Sequence, residues 1–259
     1  ISVMRYLFSL LLVFVAVQAA VADDSPSPAA KQLKALVDEY EQEGGARTFS
    51  KRFLAFAEDH SKDPAAADAL LWVVKNVRGR SDTTKALDQL ETNHVDSKKL
   101  GPACGDIVGA RSLAAEQLLR AVLERSPHAD VRATACYCLA KLLDNEALVI
   151  DQLRAAPDLA PRVLQYYGQE YGKHLASLKP DELAKRREQV YETMSKSFSD
   201  VSVQGTTLGE ISEKALFAIR HLSVGTVAPD TEGEEVRGGK FKMSDFRGNV
   251  VMLTFWGHW

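Results

Sequence analysis

Cys104, Cys136 and Cys138 are the side chains with the most reactive chemistry in this sequence. A thiolate attacks disulfides, holds soft metals or pairs with a second cysteine. Cys136 and Cys138 stand two positions apart in a helical pattern, which turns them about 200° from each other, so they do not bridge locally. A bridge from Cys104 to either one is left open by the sequence, and the default reading of all three is small buried apolar residues. His128 does not complete a metal set with Cys136 and Cys138, because the two sulfurs diverge, and no metal ligand is assigned. Trp256-Gly257-His258-Trp259 follows an apolar run near the C-terminus, where His258 reads as an exposed loop residue and Trp256 as an aromatic of a sheet core. Carboxylate pairs such as Asp23-Asp24 and Glu234-Glu235 fall in loops. Gly-rich phosphate loops, Gly-x-Ser-x-Gly and His-Glu-x-x-His are absent from the sequence.

The elements that must position these residues are mostly helices. Leu33, Leu36, Val37 and Tyr40 recur at helical spacing up to Gly44-Gly45, and Phe49, Phe53, Phe56 and Ala57 repeat the pattern. Asp63-Pro64 opens a helix carrying Leu70, Leu71, Val74 and Val77 that closes at Gly79, and Thr83 to Asn93 forms a shorter one. Ser97 to Gly109 contains Gly101, Pro102, Gly105 and Gly109, which leaves its state undecided. Arg111 to Arg125 and a helix carrying Val131 to Leu142 are joined by Ser126-Pro127, read as a cap followed by a first-turn proline. Asn145 to Ala156 and Leu159 to Tyr171 are read as separate helices around Pro157, and Pro180 to Ser199 as a long charged one. Val201 to Val203 reads as a short extended piece. Thr207-x-x-Glu210 is a capping box, opening a helix to about His221. The Ser-Pro corner gives a HEAT- or TPR-like pair, but no fixed repeat period recurs, so an irregular helical array is expected.

Composition and ends bound the rest. Hydrophobic content of 46% and charged content of 26% are those of a globular chain, and a net charge of −3 without a basic block argues against a nucleic-acid partner. Met4-Arg5, the apolar run Leu10 to Val17 and Ala20-Val21-Ala22 read as a secretory signal peptide over 1–22, placing the protein in the periplasm or another extracytoplasmic space. The run is shorter than the ~20 apolar residues of a bilayer span, so no stable membrane span is expected, with an uncleaved anchor as the alternative. A helical domain is expected over 23–221. At Leu222 the composition changes to β-branched residues and glycines.

The last segment reads Val224-Gly225-Thr226-Val227-Ala228-Pro229-Asp230, then Gly239-Lys240-Phe241-Lys242-Met243-Ser244-Asp245-Phe246-Arg247-Gly248, then Val250 to Phe255 and Trp256-Gly257-His258-Trp259. A hairpin turning at Gly238-Gly239, a Ser-capped turn and a continuous apolar run suited to a buried parallel strand are expected here. The order Gly-x-x-Ala-Pro-Asp, Gly-Lys-x-Phe-x-x-Ser-Asp-x-Arg-Gly, apolar strand, Phe-Trp-Gly-x-Trp resembles the start of a redoxin domain of the thioredoxin-like superfamily, in its TlpA-like branch. The resemblance implies an incomplete α/β thioredoxin-like domain over 222–259, with Trp256 and Trp259 flanking the active site. It places a catalytic Cys-x-x-Cys directly after Trp259, so no catalytic residue lies in this chain. The implied protein is an exported thiol–disulfide oxidoreductase acting on protein thiols and disulfides without a cofactor, the helical domain serving a protein partner. Two alternatives stand beside it. One is a peroxiredoxin-type peroxidase, less similar because that family lacks Trp-Gly-x-Trp. The other is a non-catalytic helical interaction protein with a degenerate redoxin tail.

Overall fold

The computed structural model describes residues 26–77, 81–223, 225–254 and 256–257. The expected signal peptide at 1–22, Gly79, Val224, Phe255, His258 and Trp259 lie outside them. Eleven α-helices follow in order among the described residues. They are α1 (Pro28–Glu43), α2 (Ala46–Asp59), α3 (Pro64–Asn76), α4 (Ser81–Asn93), α5 (Leu100–Gly109), α6 (Leu113–Arg125), α7 (Ala129–Ala155), α8 (Ala160–Tyr167), α9 (Gln169–Ser177), α10 (Pro180–Phe198) and α11 (Leu208–His221). Two small antiparallel hairpins complete the described chain: β1 (Ser202–Val203) with β2 (Thr206–Thr207), and β3 (Glu232–Glu234) with β4 (Lys240–Lys242).

Local chemistry explains most of these boundaries. Ser27, Asp63 and Ser112 each accept a backbone N–H of the first turn at the starts of α1, α3 and α6. Pro28 and Pro64 occupy first-turn positions where no N–H donor is needed. Thr207 and Glu210 close the capping box on α11 in both directions. The helices pack on the next, or the next but one, along the chain, as in a stacked array, and α10 also lies against α7. One continuous apolar core runs from Ala29 to Leu208, with Phe53 stacked on Trp72 at 3.9 Å between ring centroids. A satellite core of Val149, Tyr171 and Leu175 seats α9. No described helix is long and apolar enough to cross a membrane.

Several expectations need correction. Gly101, Pro102 and Gly105 do not prevent α5: Pro102 lies in its first turn, and Leu100, Cys104 and Ile107 anchor one face in the core. The helices expected over Val131–Leu142 and Asn145–Ala156 are a single element, α7, because no glycine or proline interrupts them. Leu159–Tyr171 is instead divided at Gly168, whose φ of +84° ends α8 and starts α9. Pro127 is not in a first turn: α7 begins at Ala129, after His128. The hairpin through Gly238-Gly239 forms, whereas no strand forms over the described residues 250–254 of the run expected to be one. Val250 to Leu253 carry no strand pairing and are exposed, since no described neighbour offers them a ladder.

Candidate functional site

The most unusual chemistry of the described residues is buried among α6, α7, α9 and α10. Helix α6 places Glu116 in its first turn, facing inward among Ala115, Leu118 and Leu119. Helix α7 brings in Glu146, 2% exposed, one turn before Val149 and Ile150. Helix α9 contributes Tyr171 and His174 three positions apart, so that their rings stack at 5.8 Å. Tyr171 donates to Glu146 Oε1 at 2.8 Å, and His174 Nε2 lies 3.9 Å from the same oxygen. Arg120 Nε, at 2.7 Å, and Arg186 Nη2, from α10, both donate to Glu116 Oε1. Glu146 Oε2 and His174 Nε2 are buried without a hydrogen-bond partner among the described residues. One donor atom each from Glu116, Glu146 and His174 falls within 4.8 Å of the others.

These neighbours divide the two carboxyls. Burial acts to raise both. At Glu116 the Arg186 and Arg120 hydrogen bonds outweigh it and hold the carboxyl below its usual range. At Glu146 burial wins, opposed by the Tyr171 hydroxyl and aided by the charge of Glu116, so this carboxyl stays above its usual range. Burial pushes His174 down, toward the neutral imidazole that serves as a ligand or proton acceptor. The Tyr171 phenol is pushed up by burial and by Glu146, so it remains a donor.

A cavity of about 230 Å³ reaches this cluster, lined by Gly109, Arg111, Asn145, Glu146, Tyr167 and Tyr171. A second, of about 280 Å³, shares Arg111, Tyr167 and Tyr171. Arg111 sits at the α5–α6 corner with φ of +49°, its guanidinium 4.7 Å from the Tyr166 ring centroid and 5.7 Å from that of Tyr167. Sequence reasoning passed over Glu116, Glu146 and His174 because each reads as a surface charge on an amphipathic helix. The signal available was positional: Glu116 and Glu146 occupy the apolar face of their helical repeats.

The residues singled out from sequence are placed elsewhere. Cys104, Cys136 and Cys138 are free and buried. Cys104 and Cys138 lie close enough across the α5–α7 contact to act on each other, whereas the Cys136 thiol donates to the Val190 carbonyl at 3.7 Å. The structure therefore brings Cys104 and Cys138 together and leaves Cys136 apart. His128 precedes α7 and forms no metal cluster with the cysteines among the described residues. Trp256 is 83% exposed; Trp259 lies outside the described residues. In the segment that carries the redoxin-like motifs, Asp230 accepts hydrogen bonds from the backbone N–H and hydroxyl of Ser244, both at 2.8 Å. Asp245 accepts the Lys242 N–H at 2.8 Å, and Phe241 meets Phe246 edge-on at 5.9 Å. Searches of family models, curated proteins and solved structures find no match to the chain.

Proposed function

We propose that this chain belongs to an exported thiol–disulfide oxidoreductase of the TlpA-like type, with a helical module over 23–221 and a redoxin domain that begins over 222–259. The supporting observation is the pairing of Asp230 with Ser244. The two most distinctive motifs, Ala-Pro-Asp and Ser-Asp-x-Arg-Gly, are joined by that bond across the β3–β4 hairpin, which gives their residue types a physical reason to occur together. A carboxylate accepting both a backbone amide and a hydroxyl needs Asp at one end and Ser at the other.

In this reading the motif residues build the domain and the chemistry belongs to the Cys-x-x-Cys that the resemblance places after Trp259. The first thiolate attacks a client disulfide, forming a mixed disulfide and releasing one client thiolate. The second cysteine then displaces the other client sulfur, leaving an oxidised enzyme and a reduced client. Trp256 and Trp259 flank that pair. The deeply buried Cys104, Cys136 and Cys138 take no part in it.

The test is to read the coding sequence that follows Trp259 and to assay insulin reduction with and without it. Under this reading a Cys-x-x-Cys is encoded there, and a chain carrying it reduces insulin in the presence of dithiothreitol. Replacing its first cysteine by serine abolishes that activity, and the chain ending at Trp259 gives background rates. A non-cysteine pair at those positions overturns the reading in favour of an interaction protein. A single cysteine with hydroperoxide turnover overturns it in favour of a peroxidase.

A further inference from the structure

Glu116, Glu146 and His174 belong to three different helices, yet their donor atoms converge to within 4.8 Å of one another. Each donor residue has one atom free and its remaining contacts committed to a neighbour. Glu146 gives Oε1 to the Tyr171 hydroxyl and keeps Oε2 without a partner, in a side chain only 1% exposed. Glu116 gives Oε1 to Arg120 and Arg186, and its Oε2 takes no hydrogen bond among the described residues. His174 keeps Nε2 without a partner, its ring held against Tyr171. Buried polar atoms are nearly always partnered, so two unsatisfied ones in a single cluster call for a ligand. His174 Nε2 stands 3.9 Å from Glu146 Oε1, the oxygen that also accepts from Tyr171, a distance too long for a hydrogen bond. That distance is close to the roughly 3.3 Å edge of a tetrahedral site with metal–ligand bonds of about 2.0–2.1 Å.

We propose that Glu116, Glu146 and His174 hold a divalent transition-metal cation that clips α9 to α6 and α7. Two carboxylate oxygens and one imidazole nitrogen form a donor set suited to Zn²⁺ and its neighbours rather than to Ca²⁺ or Mg²⁺. Tyr171, Arg120 and Arg186 act as the outer partners that orient the ligands. The two guanidiniums both address Glu116 Oε1, which leaves Oε2 as the oxygen offered to a cation; their charge also reaches Glu146 and His174, where the two carboxylates offset it. The cavity lined by Glu146 gives a route in and space for a water at the fourth position. The clip also has a structural rationale: α9 is seated by a satellite core of three buried residues, too few to fix it as firmly as the main core fixes the other helices.

Isothermal titration of the chelator-treated chain with ZnCl₂ tests the site, paired with thermal melts followed by circular dichroism. The expected result is one Zn²⁺ per chain and a rise in Tm on loading. Glu146→Gln and His174→Ala are each expected to weaken binding at least 100-fold and to remove the Tm rise, and Tyr171→Phe to weaken it about 10–100-fold. His174 is 22% exposed, so His174→Ala keeps the assay informative if the buried Glu146→Gln fails to fold. Absence of stoichiometric binding overturns the proposal. Binding that survives both ligand variants and disappears when Cys104 and Cys138 are replaced by serine also overturns it, moving the metal to the thiols.

Discussion

Cys136 is fully buried, and that burial pushes its thiol pKa up to about 12. Cys104 is held above the usual thiol range by its hydrogen bond to Cys138 and by burial. Cys138 is pulled the other way, below the usual thiol range, by its contact with Cys104, so it is burial that shields it; none of the three should react while the fold is intact. Ellman's reagent is expected to label no thiol at neutral pH in buffer and three on addition of guanidinium chloride; one fast-reacting thiol in buffer would show that a cysteine is reachable. Asp230 behaves in the opposite sense. The Ser244 backbone and hydroxyl donors hold its carboxyl below the ordinary 3.8. A depressed folded pKa contributes stability that is present above the unfolded value and is lost as pH falls through the folded one. The Asp230–Ser244 link is therefore expected to be intact at pH 5 and above. The Ser244 amide resonance, followed by NMR, should move with a midpoint below 3.8, and a midpoint at or above that value would show that the bond does not form in solution.

Among the helices, glycine carries two opposite meanings that the sequence alone does not separate. Gly105, exposed in α5, has open space where a Cβ would stand, so Gly105→Ala removes backbone freedom from the unfolded chain at no steric cost. A stabilisation of roughly 0.5–1 kcal/mol is expected from urea melts. A Cβ on Gly172 in α9 would lie 3.0 Å from the Leu164 Cα of α8, and backbone cannot swing aside as a side chain does. Gly172→Ala should destabilise by about 1–3 kcal/mol, and a neutral result would mean that α8 and α9 are not closely crossed. At the start of α11, Thr207→Ala removes one half of the capping box at a cost of about 1 kcal/mol. The same contrast explains what was legible. The capping residues Asp63 and Thr207 announce their helices because a cap is a local hydrogen bond that sequence spacing encodes. α5 was obscure because its glycines read as breaks, whereas Leu100, Cys104 and Ile107 hold it from outside the segment. α7 differs: nothing between Leu142 and Asn145 breaks a helix, so the single element was open to a sequence reading that divided it.

Over the whole molecule, legibility fades with sequence separation. A mainly helical chain follows from periodicity, but the Glu116–Glu146–His174 cluster depends on which three helices meet, and no local pattern encodes that. The apolar run Val250 to Leu253 shows the converse: its pattern names a buried strand, and burial requires neighbours on both edges and both faces. The core and the residues packed on it reach Ile219 and include no described residue beyond it. Val250 is 102% exposed, and Met252 and Trp256 stand nearly as free. Two consequences can be measured together on a chain shortened to end at Leu222. Because the tail adds nothing to the helical core, the shortened chain should melt within about 2 °C of the longer one, less than a loss of 1 kcal/mol would produce in a chain of this size. Because exposed apolar segments associate, sedimentation should find the longer chain forming concentration-dependent oligomers and the shortened chain monomeric. A Tm drop beyond about 4 °C would instead mean that the tail packs on the helices in solution. Equal association of both chains would place the sticky surface on the helical array.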